Sequence, residues 1–588
     1  MKTIVFLMFT FSLVSGKDQL SSDSVIFHAM KDELNRNIRH LSAKEYDDPF
    51  FIAYTIADAK NTIVNATLGA IYTSETRDYK DWQVRVMVGD YEINDENFNY
   101  DQPQENIYRP SIEMPVENDY EGIRRSLWLT TNNVYNSAAQ SYKTKIDLIN
   151  HKKLDESDLQ INDFSRAPVV NIKIPSPEVA ADQEQIEQFV RDLSAVFKQY
   201  PEIYISDVGC NVFRSTVYFI NSEGTEVKFP FNLSSLVIKA GTMTDDGEKI
   251  HRQITYAFRT PDELPDLKTV TGDVKTLIDN LIVLNKAERF EDDYSGPVLI
   301  LGQAVAETME KILFGGTDQL IASRESLQSS SQMNLYYDKN NNSLEPRIGK
   351  LILAKDLTIT AEPTLKEYNG IPLIGSYQVD AEGVVPPGKL TLVENGILKT
   401  LLNGRTPSRN VPESNGHMRF SYGYGGIVKQ IGPGVIKVTS SAPLTVESLK
   451  TMLIEKAKEE GLDYGVIIRS MNVGGAIKSV NLFKISTKTG EEEIIRSVRI
   501  KPPSLITLKR HLGVSGNLQV HNTILSMSGD RNFSSLVTGM PVSFIVPDAL
   551  LLEDIELESI NKPLTSLLPV IENPVGSGES GTGNNNEE

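Results

Sequence analysis

Cysteine is almost absent: Cys210 is the single one in 588 residues, so no disulfide can form within the chain and stability must come from apolar burial. Basic residues are in deficit, with 59 Lys and Arg against 78 Asp and Glu and a formal net charge of −19. No cluster of Lys and Arg interrupts that balance, and phosphate binding depends on one, so nucleic acid is not an expected partner. The acidity itself reads as solubility. Long apolar runs are missing too. The best, residues 3–14 behind Lys2, would span about 18 Å as a helix against about 30 Å of hydrocarbon. Followed by Ser15 and Gly16, it reads as a signal peptide over residues 1–16, which predicts a secreted or periplasmic protein without a membrane span. No cysteine lies near that cleavage point, which argues against a lipid anchor.

Paired metal ligands are also lacking. The seven histidines are His28, His40, His151, His251, His417, His511 and His521, and none lies within five residues of another. HExxH and HExxxH motifs are therefore absent. His511 and His521 flank a turn at 513–516 and could meet across a hairpin, although a core or solvent-facing pair is the plainer reading. There is no G-x-S-x-G elbow, and Gly423, Gly425 and Gly426 lack the strand-to-helix setting of a phosphate loop. Cys210 sits in an alternating stretch that suits a buried thiol.

What is present is an ordinary globular composition, 40% hydrophobic and 23% charged, long enough for several domains. Ile26, Met30, Leu34, Ile38 and Leu41 recur at helical spacing behind Asp23, and Ile186, Val190, Leu193 and Phe197 share one face of a helix over 182–200. Further helices are expected over 120–148 and 261–289. Alternation predicts strands over 50–57, 66–73, 82–88, 202–220, 225–238 and 250–258. An apolar strand at 297–301 runs into a helix over 302–314 whose outer face carries Gln303, Glu307, Glu310 and Lys311. Beyond it the chain is mostly short strands, the clearest hairpin turning at Asn395-Gly396. Helices and strands are segregated, so the expected fold is α+β. Residues 573–588, rich in Gly, Ser and Asn, read as a disordered tail.

Several segments carry a resemblance. They are Tyr294-Ser-Gly-Pro-Val-Leu-Ile-Leu-Gly-Gln-Ala-Val-Ala-Glu307, Glu362-Pro-Thr364, Ile374-Gly-Ser-Tyr-Gln-Val-Asp380, Glu382-Gly383, Leu392-Val-Glu-Asn-Gly-Ile-Leu-Lys399, the run 402–405 and Asn415-Gly-His-Met-Arg419. With the strand ending Ile220-Asn-Ser-Glu-Gly224, they resemble the TldD/TldE (PmbA) metallopeptidase family in order and approximate spacing.

The resemblance implies two domains after the signal peptide: an α+β amino-terminal domain over 17–260 and a strand-rich metallopeptidase-like domain over 261–572. It implies a chamber enclosed by dimerisation, as a homodimer or as a heterodimer with a TldD-type subunit, that takes unfolded peptide. TldD-type subunits of the family carry zinc on a helical HExxxH motif and a downstream Cys, whereas TldE-type subunits do not. The helix beginning near Gly302 should hold that motif, yet no His lies between His251 and His417 and no Cys follows Cys210. The chain is thus expected to be TldE-like, with no metal or other cofactor of its own. His417, the one histidine inside a matched segment, is the candidate catalytic residue. The family label of DNA gyrase modulator gains nothing from an acidic, secreted chain. Two other readings stay open: an active peptidase with a non-standard site around His417 and carboxylates, and a secreted peptide- or glycan-binding module. Secretion would also expose the Asn-x-Ser/Thr triplets at Asn65, Asn232, Asn341 and Asn532 to glycosylation in a suitable host.

Overall fold

The computed structural model describes residues 22–100, 113–152, 161–176, 182–315, 319–324, 327–329, 335–337, 344–423, 426–471, 480–525 and 538–560. The expected signal peptide and tail lie outside them, as do Asn341 and Asn532. Among the described residues no helix is long and apolar enough to cross a membrane.

The α+β expectation is met by two bodies. The first is a seven-stranded sheet built on a long antiparallel ribbon, β1 (Pro49–Thr67) and β2 (Ala70–Val88). β1 also pairs with Ile205–Asn221, which leads on to Leu233–Met243 and then Lys249–Phe258. Successive strand residues point to opposite faces, and here the even-numbered face of β1 takes all the helices. Ile52, Tyr54 and Ile56 pack under α1 (Ser22–His40) and α2 (Tyr120–Lys152). Val64 and Ala66, with Cys210 and Leu236, pack under α3 (Gln183–Ala195) and α4 (Leu267–Lys286). α4 therefore buries its face in the first sheet. α3 lies within the helix expected over 182–200 and is capped by Asp182, whose side chain accepts from Glu184 N at 3.0 Å.

In the second body α5 (Gln303–Phe314) lies between two sheets. Its Ala304, Val305, Met309 and Leu313 share one core with Val298, Ile300 and Val466 of an eight-stranded sheet and Ile359, Val438 and Phe544 of a six-stranded one. α6 (Val446–Glu459) covers the other face of the eight-stranded sheet through Leu449 and Leu453, against Leu299, Ile467 and Leu551.

Two expected strands are divided differently. The stretch 66–73 is the turn of the ribbon, because Leu68 and Gly69 both take positive φ (48° and 74°), and the flanking strands run through polar residues that alternation alone did not join. The stretch 225–238 is two strands, Glu226–Pro230 and Leu233–Met243, broken behind Pro230, which cannot donate to a ladder. The hairpin at Asn395-Gly396 forms as expected, with φ of 49° and 77°.

Candidate functional site

The odd-numbered face of the first sheet meets the second body through a hairpin, Met418–Gly423 and Gly426–Ile431. Phe420, Tyr422 and Ile427 of that hairpin pack on Ala57, Ala59, Phe213 and Val217. Polar contacts fix the register: Gln83 Nε2 donates to Ile427 O at 2.5 Å, Asp81 accepts from Ile427 N, and Lys429 Nζ donates to Thr55 Oγ1 at 2.8 Å.

Beside the hairpin lies a buried ionic junction. Arg405, 1% exposed, donates from Nη1 and Nη2 to the two Glu223 oxygens at 2.6 and 2.7 Å. Its Nε and Nη2 also reach Ser165 O at 2.9 and 2.7 Å, and its guanidinium lies 4.0 Å from the Phe164 ring centroid. Glu382 accepts from Arg405 N at 2.7 Å and from Arg85 Nη1 at 2.7 Å, and Arg85 also pairs with Glu96. Asp380 folds the backbone around this point, its Oδ1 accepting from Glu382 N and Val384 N at 2.8 Å each and its Oδ2 from Met418 N at 3.2 Å. Burial, with the Glu382 charge beside it, pushes the Asp380 carboxyl up despite those N–H groups. The Glu223 carboxyl is pushed up by burial but held below its ordinary value by the Arg405 bonds and charge.

On the junction opens a cleft of about 410 Å³ between the bodies. Phe229, Phe231 and Asn232 form the wall from the first sheet; Ser376, Tyr377 and Phe420 face them from the second body. Arg259 stands at the rim, paired with Glu263 at 3.0 Å and donating from Nη1 to Ser376 Oγ at 3.4 Å. Arg419 is buried in the floor, Nη1 donating to Gly375 O at 3.0 Å and the guanidinium stacked 3.9 Å from the Tyr377 ring centroid. This stack needs glycine at 434, where a Cβ would sit 2.5 Å from Arg419 Nη1 and 2.7 Å from Tyr377 Cε1. Gly434→Ala is therefore expected to cost about 1–3 kcal/mol through overpacking, read as a fall in the thermal midpoint. An unchanged midpoint would show that the floor yields freely.

The matched segments of the sequence thus converge at one place: Glu223, Asp380, Glu382, Arg405 and Arg419 all meet at this junction and the cleft floor. The candidate His417 is adjacent but fully buried, Nδ1 lying 2.9 Å from Asn415 O. Burial pushes its imidazole down to about 3, so it is neutral at ordinary pH, and its Nε2 has no hydrogen-bond partner. His511 and His521 are not brought together, because His511 pairs into the eight-stranded sheet and His521 into the six-stranded one. Asn65 faces inward at 7% exposure, closed to glycosylation, while Asn232 lines the cleft. Sequence reasoning did not single out Arg85, Arg259 or Lys429, which no local motif marks, and it reached Tyr377 only as part of a matched segment.

The α+β fold is one that solved structures share. TldE from Thermococcus kodakarensis matches with a TM-score of 0.55 over 90% of this chain and 100% of its own, at 14% identity. A Thermotoga maritima protein described as a candidate modulator of DNA gyrase gives 0.53 at 14% identity, over the same shares. A Bacteroides thetaiotaomicron protein similarly described gives 0.52 at 9% identity, over 91% of this chain and 98% of its own. No curated protein matches the chain in sequence. Residues 324–558 match the family model of the PmbA/TldA metallopeptidase C-terminal domain, so that part of the chain is a domain of this family.

Zinc of the family's pattern does not fit the donors present. α5 offers Glu307 and Glu310 but no imidazole, and Gln303 donates to Glu307 at 2.9 Å. Cys210 lies in the other body under α3 and α4, its thiol pushed up to about 12 by burial, so it is no thiolate ligand. Among the described residues no three of His, Cys, Asp and Glu are grouped to hold a metal ion.

Proposed function

We propose that the chain is a secreted or periplasmic peptide-handling subunit that encloses unfolded peptide together with a zinc-bearing TldD-type partner and has no zinc site of its own. One observation carries the reading: α5 is kept as the central helix of the second body, yet its polar positions are Gln303, Glu307, Glu310 and Lys311, none of them an imidazole. A catalytic zinc needs about three protein ligands, and neither the buried His417 nor the buried Cys210 replaces them. The cleft, with its aromatic wall and the polar Ser376 and Gln378 opposite, suits an extended chain better than a compact ligand.

The purified mature protein is expected to hold no stoichiometric zinc by elemental analysis and to leave a fluorogenic unfolded peptide uncut. Cleavage should appear when a TldD-type partner is added and disappear with chelator. Stoichiometric zinc and chelator-sensitive cleavage by the pure chain would overturn this reading and favour a peptidase with a non-standard site.

A further inference from the structure

The sequence holds four Asn-Gly dipeptides, at 369–370, 395–396, 403–404 and 415–416. Asparagine is thermolabile, and most so before glycine, which puts no side chain beside the backbone nitrogen that attacks it. In that reaction the glycine nitrogen bonds to the asparagine Cγ, the Cγ–Nδ2 bond breaks, and Nδ2 leaves as ammonia with the proton that the backbone nitrogen gives up. Water then opens the cyclic imide at either carbonyl, leaving aspartate or isoaspartate. A folded chain blocks the step by holding the carboxamide or the glycine N–H.

Three of the four pairs are held. Asn403, 1% exposed, donates from Nδ2 to Val411 O and Glu413 O at 3.0 and 3.1 Å. Asn415 donates from Nδ2 to Leu401 O and accepts from Asn403 N, both at 2.8 Å. Asn395 is exposed, but Gly396 N donates to Leu357 O at 2.9 Å and Gly396 O accepts from Ile352 N at 2.8 Å. A Cβ at Gly396 would sit 2.4 Å from Leu353 O, so that turn is packed down on its neighbours within the six-stranded sheet.

Asn369-Gly370 has none of these restraints. It is the two-residue turn between Glu367–Tyr368 and Ile371–Pro372, with φ of 50° and 78°. Both residues are exposed, and neither the Asn369 carboxamide nor Gly370 N has a hydrogen-bond partner among the described residues. A Cβ at Gly370 would meet nothing within 4 Å. The two short strands form a sheet of their own, and a lone hairpin is marginally stable, so reaching the attack geometry costs little.

We propose that Asn369 is a site of spontaneous deamidation and isoaspartate formation, while the fold protects the other three Asn-Gly pairs. The hairpin joins two stretches that line the cleft, Thr364 and Lys366 before it and Ile374 and Ser376 after it. The product sets a new carboxylate between them and, as isoaspartate, an extra backbone atom.

The test incubates the full mature chain in mildly alkaline buffer and follows each asparagine by mass spectrometry. Trypsin puts the four on separate peptides, cutting after Lys366, Lys389, Lys399, Arg405 and Arg409. Amide loss at Asn369 is expected to outrun that at each of the other three by about tenfold or more, the factor for one hydrogen bond that must first open. In urea all four should react at similar rates. Asn369→Gln should abolish the signal from its own peptide and leave the others unchanged. Asn395 reacting as fast as Asn369 in the folded chain would overturn the proposal, and so would an Asn369 that stays intact while the unfolded chain reacts. A preference for Asn369 that survives in urea would assign the effect to sequence and overturn the protection by the fold.

Discussion

Replacing Arg405 by methionine is expected to lower the free energy of unfolding by about 3–5 kcal/mol, the usual result of breaking a buried ion pair from one side. The side chain is 1% exposed, and its removal strips Glu223 of both guanidinium bonds, leaving Tyr91 Oη and Asn221 Nδ2 as its donors and Arg166 as the nearby charge, and leaves Ser165 O without its guanidinium donor. Both guanidinium edges are in use, so lysine is no substitute: an ammonium cannot make the paired bonds to Glu223 and also reach Ser165 O. Because Glu223 belongs to the first body and Arg405 to the second, the loss should fall on their coupling. Calorimetry is expected to show the single-body transitions moving apart, and urea unfolding to become broader. Glu223→Gln should cost less, since the amide oxygen still accepts one bond and Arg405 keeps its carbonyl partner. A loss below about 1 kcal/mol for Arg405→Met would mean that the junction is solvated and does not hold the bodies together.

Little of this junction was legible in the sequence. Glu223 and Arg405 are 182 residues apart, no local pattern marks Arg85, and Glu382 entered only as part of a matched segment. The matched segments located it only as neighbours of motif residues, without saying which side chains touch. Elements whose signal is local came through. The apolar face of the helix expected over 182–200, the helical face of α1 and the Asn395-Gly396 turn each depend on residues a few positions apart. The ribbon failed for the opposite reason. Its middle sets Lys60 against Asp78, Asn61 against Arg77 and Thr62 against Thr76, and the adjacent Ile63 and Val64 break the apolar alternation that would mark a strand. Asn61 and Asn65, whose Oδ1 atoms are buried without hydrogen-bond partners, were hidden in that same stretch, with Asn65 visible only as a glycosylation triplet.

His417 supplies a pH-dependent test. Burial pushes its imidazole down to about 3, with Arg419 adding to the effect and the Asn415 carbonyl opposing it. An imidazole free in the unfolded chain takes up its proton near pH 6.5. The unfolded state therefore binds the proton first, so stability from this group is complete above about pH 6.5 and is lost as pH falls toward 3. At pH 4.5 the loss should be about 3 kcal/mol, at 1.36 kcal/mol for each unit of pH. Asp380 runs the other way. Burial raises its carboxyl, so its contribution is present at low pH and is lost as pH rises through the raised value. The wild-type profile mixes the two, and the difference between wild type and His417→Gln isolates the imidazole. At pH 7.5 the variant should be the less stable, by about 1–2 kcal/mol for packing and the Asn415 bond. At pH 4.5 the order should reverse, urea midpoints at the two pH values giving the comparison. A gap that stays constant would show that the imidazole takes up its proton in the folded protein, through a path to its unpartnered Nε2.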